Sequence, residues 1–181
     1  MKVFYCENCK HQVFFQNTVC QYCSTVLGFQ LNMNQMGSFA KIDTQTWRSL
    51  NPEDPHLYYR PCYNYSTHQS CNWVIPADQD QLYCESCQLT HIIPDLSIEK
   101  NLQYWRHIES AKRYFLYLTK QLDIFPKPKK DEHDRLGLQF NFLMPYEDQP
   151  VMTGHVNGSR AFARYREIDE ETKVNLVNLI N

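Results

Sequence analysis

The rhythm of apolar and polar positions changes several times along the chain, and each change marks an element. Between two close cysteine pairs, HQVFFQNTV (11–19) is rich in aromatic and β-branched residues and supplies two short strands. Residues 32–55, NMNQMGSFAKIDTQTWRSLNPEDP, lose that rhythm. They are polar, close on two prolines, and read as a connector anchored by Trp47. CNWVIP (71–76) predicts a short strand ended by Pro76, with ADQDQ as the turn after it. The longest signal follows. Pro94-Asp95-Leu96-Ser97 is a helix start, because Asp or Ser can accept hydrogen bonds from the free N–H groups of a first turn. Ile98, Leu102, Trp105, Ile108, Ala111, Phe115, Leu118 and Leu122 then recur in steps of three or four, the stripe of an amphipathic helix. Lys100, Arg106, Lys112, Arg113 and Lys120 fall on the other side and predict a solvated face.

PKPKKDEHD (126–134) ends that helix as a charged loop. GLQFNFLMP (137–145) alternates apolar and polar as a half-buried strand does, and VMTGHVNG (151–158) is a second strand running into Asn157-Gly158, a tight-turn signal. The tail, REIDEETKVNLVNLIN, carries a weak helical spacing at Val174, Val177 and Ile180. The predicted class is α+β: two cysteine-bearing segments, one long amphipathic helix, then short antiparallel strands.

Composition narrows the picture. With 181 residues, 12 Tyr and 10 Phe, the chain can bury a core in one large domain or two small ones. A formal charge of -2 gives no general attraction to nucleic acid or an anionic membrane. No apolar run has the length of a signal peptide or a membrane span, so a cytoplasmic location is expected.

All eight cysteines lie in the first 87 residues and form two groups of four. Cys6, Cys9, Cys20 and Cys23 are spaced x2, x10, x2; Cys62, Cys71, Cys84 and Cys87 are spaced x8, x12, x2. In a reducing compartment such sets point to metal rather than disulfides. A Cys-x-x-Cys turn brings two sulfurs to one side of a tight loop, and two such turns fill the tetrahedral shell that zinc requires. The first set is the signature of a zinc ribbon, although iron also accepts four thiolates. The second needs a wider loop, CYNYSTHQSC, in which His68 is a possible substitute for a cysteine; four sulfurs are favoured because the cysteine set is already complete. Two full sets leave no open coordination position, so both read as structural sites holding two Zn²⁺ per chain.

The catalytic search is negative. There is no Gly-rich phosphate loop, no Gly-x-Ser-x-Gly elbow, and no histidine with another four residues away. His155 in TGHVNG reads as a surface or hydrogen-bonded histidine, and the acidic cluster 167–171 as a solvated helix start.

The chain resembles the bacterial family of zinc-ribbon proteins classed as zinc-binding metallopeptidases. The stretches that carry the likeness are FYCENCKHQVFFQNTVCQYCSTVLGF, YRPCYNYSTHQSCNWVIPADQDQLYCESCQLTHIIPDLS, the AKR of the helix, GLQFNFL and VMTGHVNG, in that order from residue 4 to about 158. The resemblance implies an N-terminal zinc-binding region made by the two cysteine sets, followed by a peptidase-like domain. In that domain a strand after TGH-x-NG leads to a helix bearing His-Glu-x-x-His, whose histidines bind catalytic zinc and whose glutamate activates water. This sequence departs from the pattern after Gly158, where it reads SRAFARYREIDEETKVNLVNLIN, without a recognisable apolar strand and without the zinc helix.

The expected organisation is a zinc ribbon at 1–30, a linker plus second Cys₄ module at 31–94, and at 95–181 a helix and strands resembling the start of a truncated peptidase-like domain. The expected function is a two-zinc protein without catalytic residues, acting as an interaction module for an unidentified protein partner. Two alternatives stand beside it. One is a metallopeptidase or a fragment of one. The other is a nucleic-acid-binding ribbon, using the Lys/Arg side of the helix with Tyr63 and Tyr65 as stacking rings; the near-neutral charge argues against the latter.

Overall fold

The computed structural model describes residues 3–131, 133–134, 137–146, 149–156 and 159–164, with side chains as far as Phe142. The chain divides into two compact units, Met1–Cys84 and Glu85–Asn181. No helix among the described residues is long and apolar enough to cross a membrane.

The first unit opens with a short antiparallel hairpin, β1 (Phe4–Tyr5) and β2 (Gln12–Val13). Its register sets Phe4 against Val13, both buried, and Tyr5 against Gln12 on the exposed face. A five-stranded antiparallel meander follows: β3 (Val26–Gln30), β4 (Gln35–Lys41), β5 (Trp47–Ser49), β6 (Tyr58–Pro61) and β7 (Val74–Pro76). Two of these strands occupy the stretch that reads as a connector. The reason is composition: Gln35–Lys41 is QMGSFAK, and Gly37 and Ser38 mask a strand in which Met36, Ser38 and Phe39 are all buried. Trp47 does anchor the region, as one member of a core with Phe39, Tyr59 and Val74, against which Val26 and Tyr65 pack. The rings meet at angles, Phe39 on Tyr59 at 5.3 Å and Trp47 on Tyr65 at 5.2 Å between centroids.

The loop between β5 and β6 is tied down by one carboxylate. Asp54 accepts hydrogen bonds from Ser49 Oγ (2.7 Å), Tyr59 OH (2.7 Å), the His56 backbone N–H (3.0 Å) and the Gln30 side-chain amide. Burial, and next the bond to Asp54, push the Tyr59 phenol above the ordinary tyrosine range. Gly28 of β3 stands opposite Gly37 of β4. A Cβ on Gly28 would lie 2.5 Å from Val74 Cγ1, an atom of a β-branched side chain with little freedom to move.

The second unit starts with a one-turn helix, α2 (Glu85–Gln88), that follows α1 (Tyr63–Ser66) of the first unit in chain order. Then come β8 (Thr90–Ile92), α3 (Glu99–Gln121), β9 (Gln139–Tyr146), β10 (Gln149–Val156) and β11 (Ser159–Arg164), in a sheet ordered β11-β10-β9-β8. The last three strands are antiparallel neighbours, as expected, but β8 joins β9 in parallel. A parallel pair needs a crossover, and α3 supplies it. β11 is a strand where SRAFAR carries no recognisable apolar run, its alternate positions being Arg160, Phe162 and Arg164. The side chain of His155, the acidic cluster 167–171 and the weakly helical tail lie outside the described residues.

The long helix is present, 23 residues instead of the wider span its start signal implies. Asp95 Oδ1 accepts the Ser97 N–H (2.9 Å) and Ser97 Oγ (2.7 Å), so this pair closes a turn ahead of the helix, whose N-cap is Ile98. Its buried face differs from the apolar stripe. Trp105 is shared, but the other buried positions include Glu109, Lys112, Arg113, Leu116 and Tyr117, while Ile98 and Leu122 are exposed. Lys112 and Arg113 therefore leave the solvated face predicted for them. Glu109 and Lys112 are 0 % and 2 % exposed, and their charged atoms lie 2.8 Å apart. Glu109 Oε1 also accepts Thr90 Oγ1 at 2.8 Å and Trp105 Nε1 at 3.3 Å. Lys112 Nζ bonds the Thr90 hydroxyl and sits over the Phe140 ring at 5.4 Å. These partners are what make two buried charges tolerable.

Two stability predictions follow from this packing. Gly28→Ala should cost about 1–3 kcal/mol, read as a lower urea midpoint, because Val74 cannot yield without leaving its rotamer. Lys112→Met should cost about 3–5 kcal/mol by stranding Glu109, whereas Glu109→Leu with Lys112→Met should recover most of that loss in the same titration.

Candidate metal centres

The first four cysteines are brought together by one turn used twice. After Cys9, Lys10 donates its N–H to the Cys6 carbonyl (2.7 Å) while Cys6 donates to the His11 carbonyl (2.8 Å). After Cys23, Ser24 donates to the Cys20 carbonyl (2.9 Å) while Cys20 donates to the Thr25 carbonyl (2.9 Å). Lys10 and Ser24 take the left-handed backbone conformation, at φ 62° and 59°, that closes each loop. The sulfurs of all four cysteines lie within 4.8 Å of one another, with Cys6–Cys23 and Cys9–Cys20 both at 3.6 Å. Four ligands at the usual Zn–S bond of about 2.3 Å would stand about 3.8 Å apart at tetrahedral corners, so the donor set fits zinc without rearrangement. None of the eight cysteines is joined in a disulfide.

Hydroxyl groups surround this first set. Thr25 Oγ1 is 3.1 Å from Cys23 Sγ, and the Asn8 side-chain amide donates to the same hydroxyl at 3.1 Å. Ser38 Oγ donates to Cys6 Sγ at 3.7 Å and accepts the Glu7 N–H at 2.9 Å, while the Ser38 N–H donates to Glu7 Oε2 at 3.0 Å. Thr25 first, then Asn8, pull the Cys23 thiol down to about 5. At Cys9 the His11 backbone bond works downward, but burial and the neighbouring sulfurs outweigh it and push the thiol up to about 12. Without a cation, one thiolate in the cluster discourages the next. A dication removes that conflict.

The second set explains its own irregular spacing. Cys62 follows β6 and Cys71 precedes β7, and the Cys62 N–H donates to the Trp73 carbonyl (3.2 Å), so the hairpin brings the two cysteines side by side. The intervening residues are taken up by α1, whose Tyr65 and Ser66 N–H groups bond the Cys62 carbonyl at 2.8 and 3.2 Å. These two cysteines, with Cys84 and Cys87, again place their sulfurs within 4.8 Å, Cys71–Cys84 at 3.6 Å. The backbone N–H groups of Trp73 and Cys84 point at Cys71 Sγ and Cys62 Sγ, both at 3.4 Å. His68 is not part of this group; its ring meets Tyr63 edge-on at 5.9 Å.

The sets differ in exposure. Cys62, Cys71, Cys84 and Cys87 are 0, 2, 0 and 4 % exposed; in the first set Cys6 and Cys20 are 0 and 1 %, while Cys9 and Cys23 are partly open to solvent. Of the rings read as stacking surfaces, Tyr63 is exposed, but Tyr65 donates its hydroxyl to the Leu27 carbonyl (2.9 Å) and packs on Trp47. Burial pushes its phenol up. Thr25 and Ser38 are the site residues that spacing arguments miss. Thr25 lies two positions past Cys23 and is legible in principle. Ser38 is 32 positions from Cys6, and only the fold brings it there.

Two complete sulfur tetrads, the first on a pair of short hairpin turns, define a zinc-ribbon protein, and the chain belongs to that family: its zinc-ribbon domain model matches residues 3–98. Residues 101–177 match a second family, described as "Putative zinc-binding metallo-peptidase". The relatives include Uncharacterized protein Rv2568c of Mycobacterium tuberculosis and Uncharacterized protein Mb2598c of Mycobacterium bovis, each 31 % identical over 159 residues, which is 87 % of this chain and 41 % of theirs. The chain thus spans about two fifths of the length of the curated relatives it matches. No solved structure matches it. Family and geometry together are consistent with two zinc ions per chain.

Cys71→Ser should lower the zinc content from about two ions per chain to about one, measured by atomic emission after dialysis, and should lower the melting temperature, since a structural Cys₄ ion holds its loops with roughly 10–16 kcal/mol of apparent binding energy.

Proposed function

We propose that the eight cysteines hold two structural zinc ions and that this chain is a non-catalytic, zinc-braced interaction module belonging to a protein of the zinc-binding metallopeptidase type. One observation carries the reading: each group already offers four sulfurs, so a bound ion is saturated and keeps no position for water or substrate. The zinc would neutralise and fasten the thiolates; the chemistry it supplies here is structural. The chain's own residues do the rest. Lys10 and Ser24 close the first two turns, α1 and the β6–β7 hairpin close the wider loop, and Thr25 and Ser38 fix the sulfurs of Cys23 and Cys6. The register of the first hairpin leaves Tyr5 exposed, with Phe14 just beyond β2 and Tyr22 on the second knuckle, at 58, 59 and 72 %. These rings support a role in contacting another protein.

A second reading, peptidase activity, is favoured by the match of residues 101–177 to a peptidase family. That chemistry needs a zinc with an open position, and the His-Glu-x-x-His that would provide it does not occur in this sequence.

The two readings separate in one assay. The zinc-loaded chain, incubated with a quenched fluorescent peptide library, should show cleavage no faster than the chain-free control. Cleavage above that rate, abolished by a chelator and restored by zinc, would overturn the non-catalytic reading.

A further inference from the structure

The two sulfur sets have the same ligand count and different access. We propose that the first is an exchangeable zinc site, open to incoming thiols and chelators at Cys9 and Cys23, that the second keeps its ion out of reach, and that Thr25 is the positioning residue setting the exchange rate at the open corner. This inference rests on the zinc reading above. Ligand exchange at a saturated zinc centre requires an incoming donor or electrophile to reach the metal or one of its sulfurs. In the second set every sulfur belongs to a buried cysteine; in the first, two of the four belong to residues partly open to solvent, Cys9 and Cys23.

The Thr25 hydroxyl touches one of those two open sulfurs. Its oxygen already accepts the Asn8 amide, and a metal-bound thiolate has no proton of its own, so the hydroxyl proton is the one shared with Cys23 Sγ. A hydrogen bond donated to a thiolate draws charge from the sulfur and weakens its attack on electrophiles. Thr25 would thus protect the Zn–S bond of Cys23, one of the two partly open ligands, without being a ligand itself.

The test uses the full chain carrying zinc, with N-ethylmaleimide as electrophile and a chelating dye to report free zinc. In each alkylation the sulfur lone pair forms a C–S bond to the alkene, the Zn–S bond breaks, the resulting enolate takes a proton from water, and the weakened ion passes to the dye. Release should occur in two phases of one ion each, with peptide mass spectrometry finding label on Cys9 and Cys23 during the first. Thr25→Val should speed the first phase about tenfold and leave the second unchanged, while Thr25→Ser, which keeps the hydroxyl, should behave as the parent. Release in a single phase, or first labelling among Cys62, Cys71, Cys84 and Cys87, would overturn the exchange asymmetry. Equal first-phase rates for Thr25→Val and the parent would overturn the role of Thr25. A starting content below two ions per chain would instead sink the zinc reading on which this stands.

Discussion

Electrostatic repulsion among crowded sulfurs is the constraint on which this structure turns. Four sulfurs within 4.8 Å cannot all be thiolates unless a cation sits among them, since each neighbouring pair of charges repels by roughly 4 kcal/mol at the effective dielectric of a protein surface. A dication reverses the sign, and short turns then become the cheapest way to hold the geometry. That is why the first hairpins can be so small. A strand pair of two residues each, as in β1 and β2, has no stability of its own in water. Held by an ion at Cys6 and Cys9 in the turn that joins its strands, it needs little more than Phe4 and Val13 beneath it.

The five-stranded sheet solves a different problem. Its aromatic core of Phe39, Trp47 and Tyr59 is conventional, but its rim is polar, and the polar groups are pooled on few acceptors. Asp54 alone collects Ser49, Tyr59, Gln30 and the His56 backbone, which secures the loop between β5 and β6. Ser38 plays a similar part at the edge of the first metal site. It reaches Cys6 Sγ from β4, so a hydrogen bond ties the sheet to the first cysteine turn. In the second unit the same economy is carried by a charge pair. Glu109 and Lys112 are buried together, and Thr90 and Trp105 supply the hydrogen bonds that water would otherwise make. Such a pair is a weak source of stability but a strict requirement on alignment, because either charge alone would be stranded.

The metal centres were legible from spacing because ligand geometry is local: a Cys-x-x-Cys turn places two sulfurs whatever surrounds it, and eight cysteines in two sets of four admit few other readings. The long helix, the strands of GLQFNFLMP and VMTGHVNG, and Trp47 as an anchor were legible for the same reason, since periodicity over a short window is a property of the chain itself. What the surroundings decide was not. β4 and β5 hide in a stretch diluted by glycine, serine and glutamine, because the neighbours that bury them are distant in sequence. The buried face of α3 is set by where β8 and β9 meet it, which turns Lys112 inward and leaves Ile98 and Leu122 outside. So the sequence by itself determined which sulfurs group into two tetrads that could bind metal, and where the long helix and the strands of GLQFNFLMP and VMTGHVNG lie. Only the tertiary structure decided which hydroxyls steady the sulfurs, which charges pair in the dark, and which of the two tetrads meets solvent, for those depend on contacts between residues that no local pattern joins.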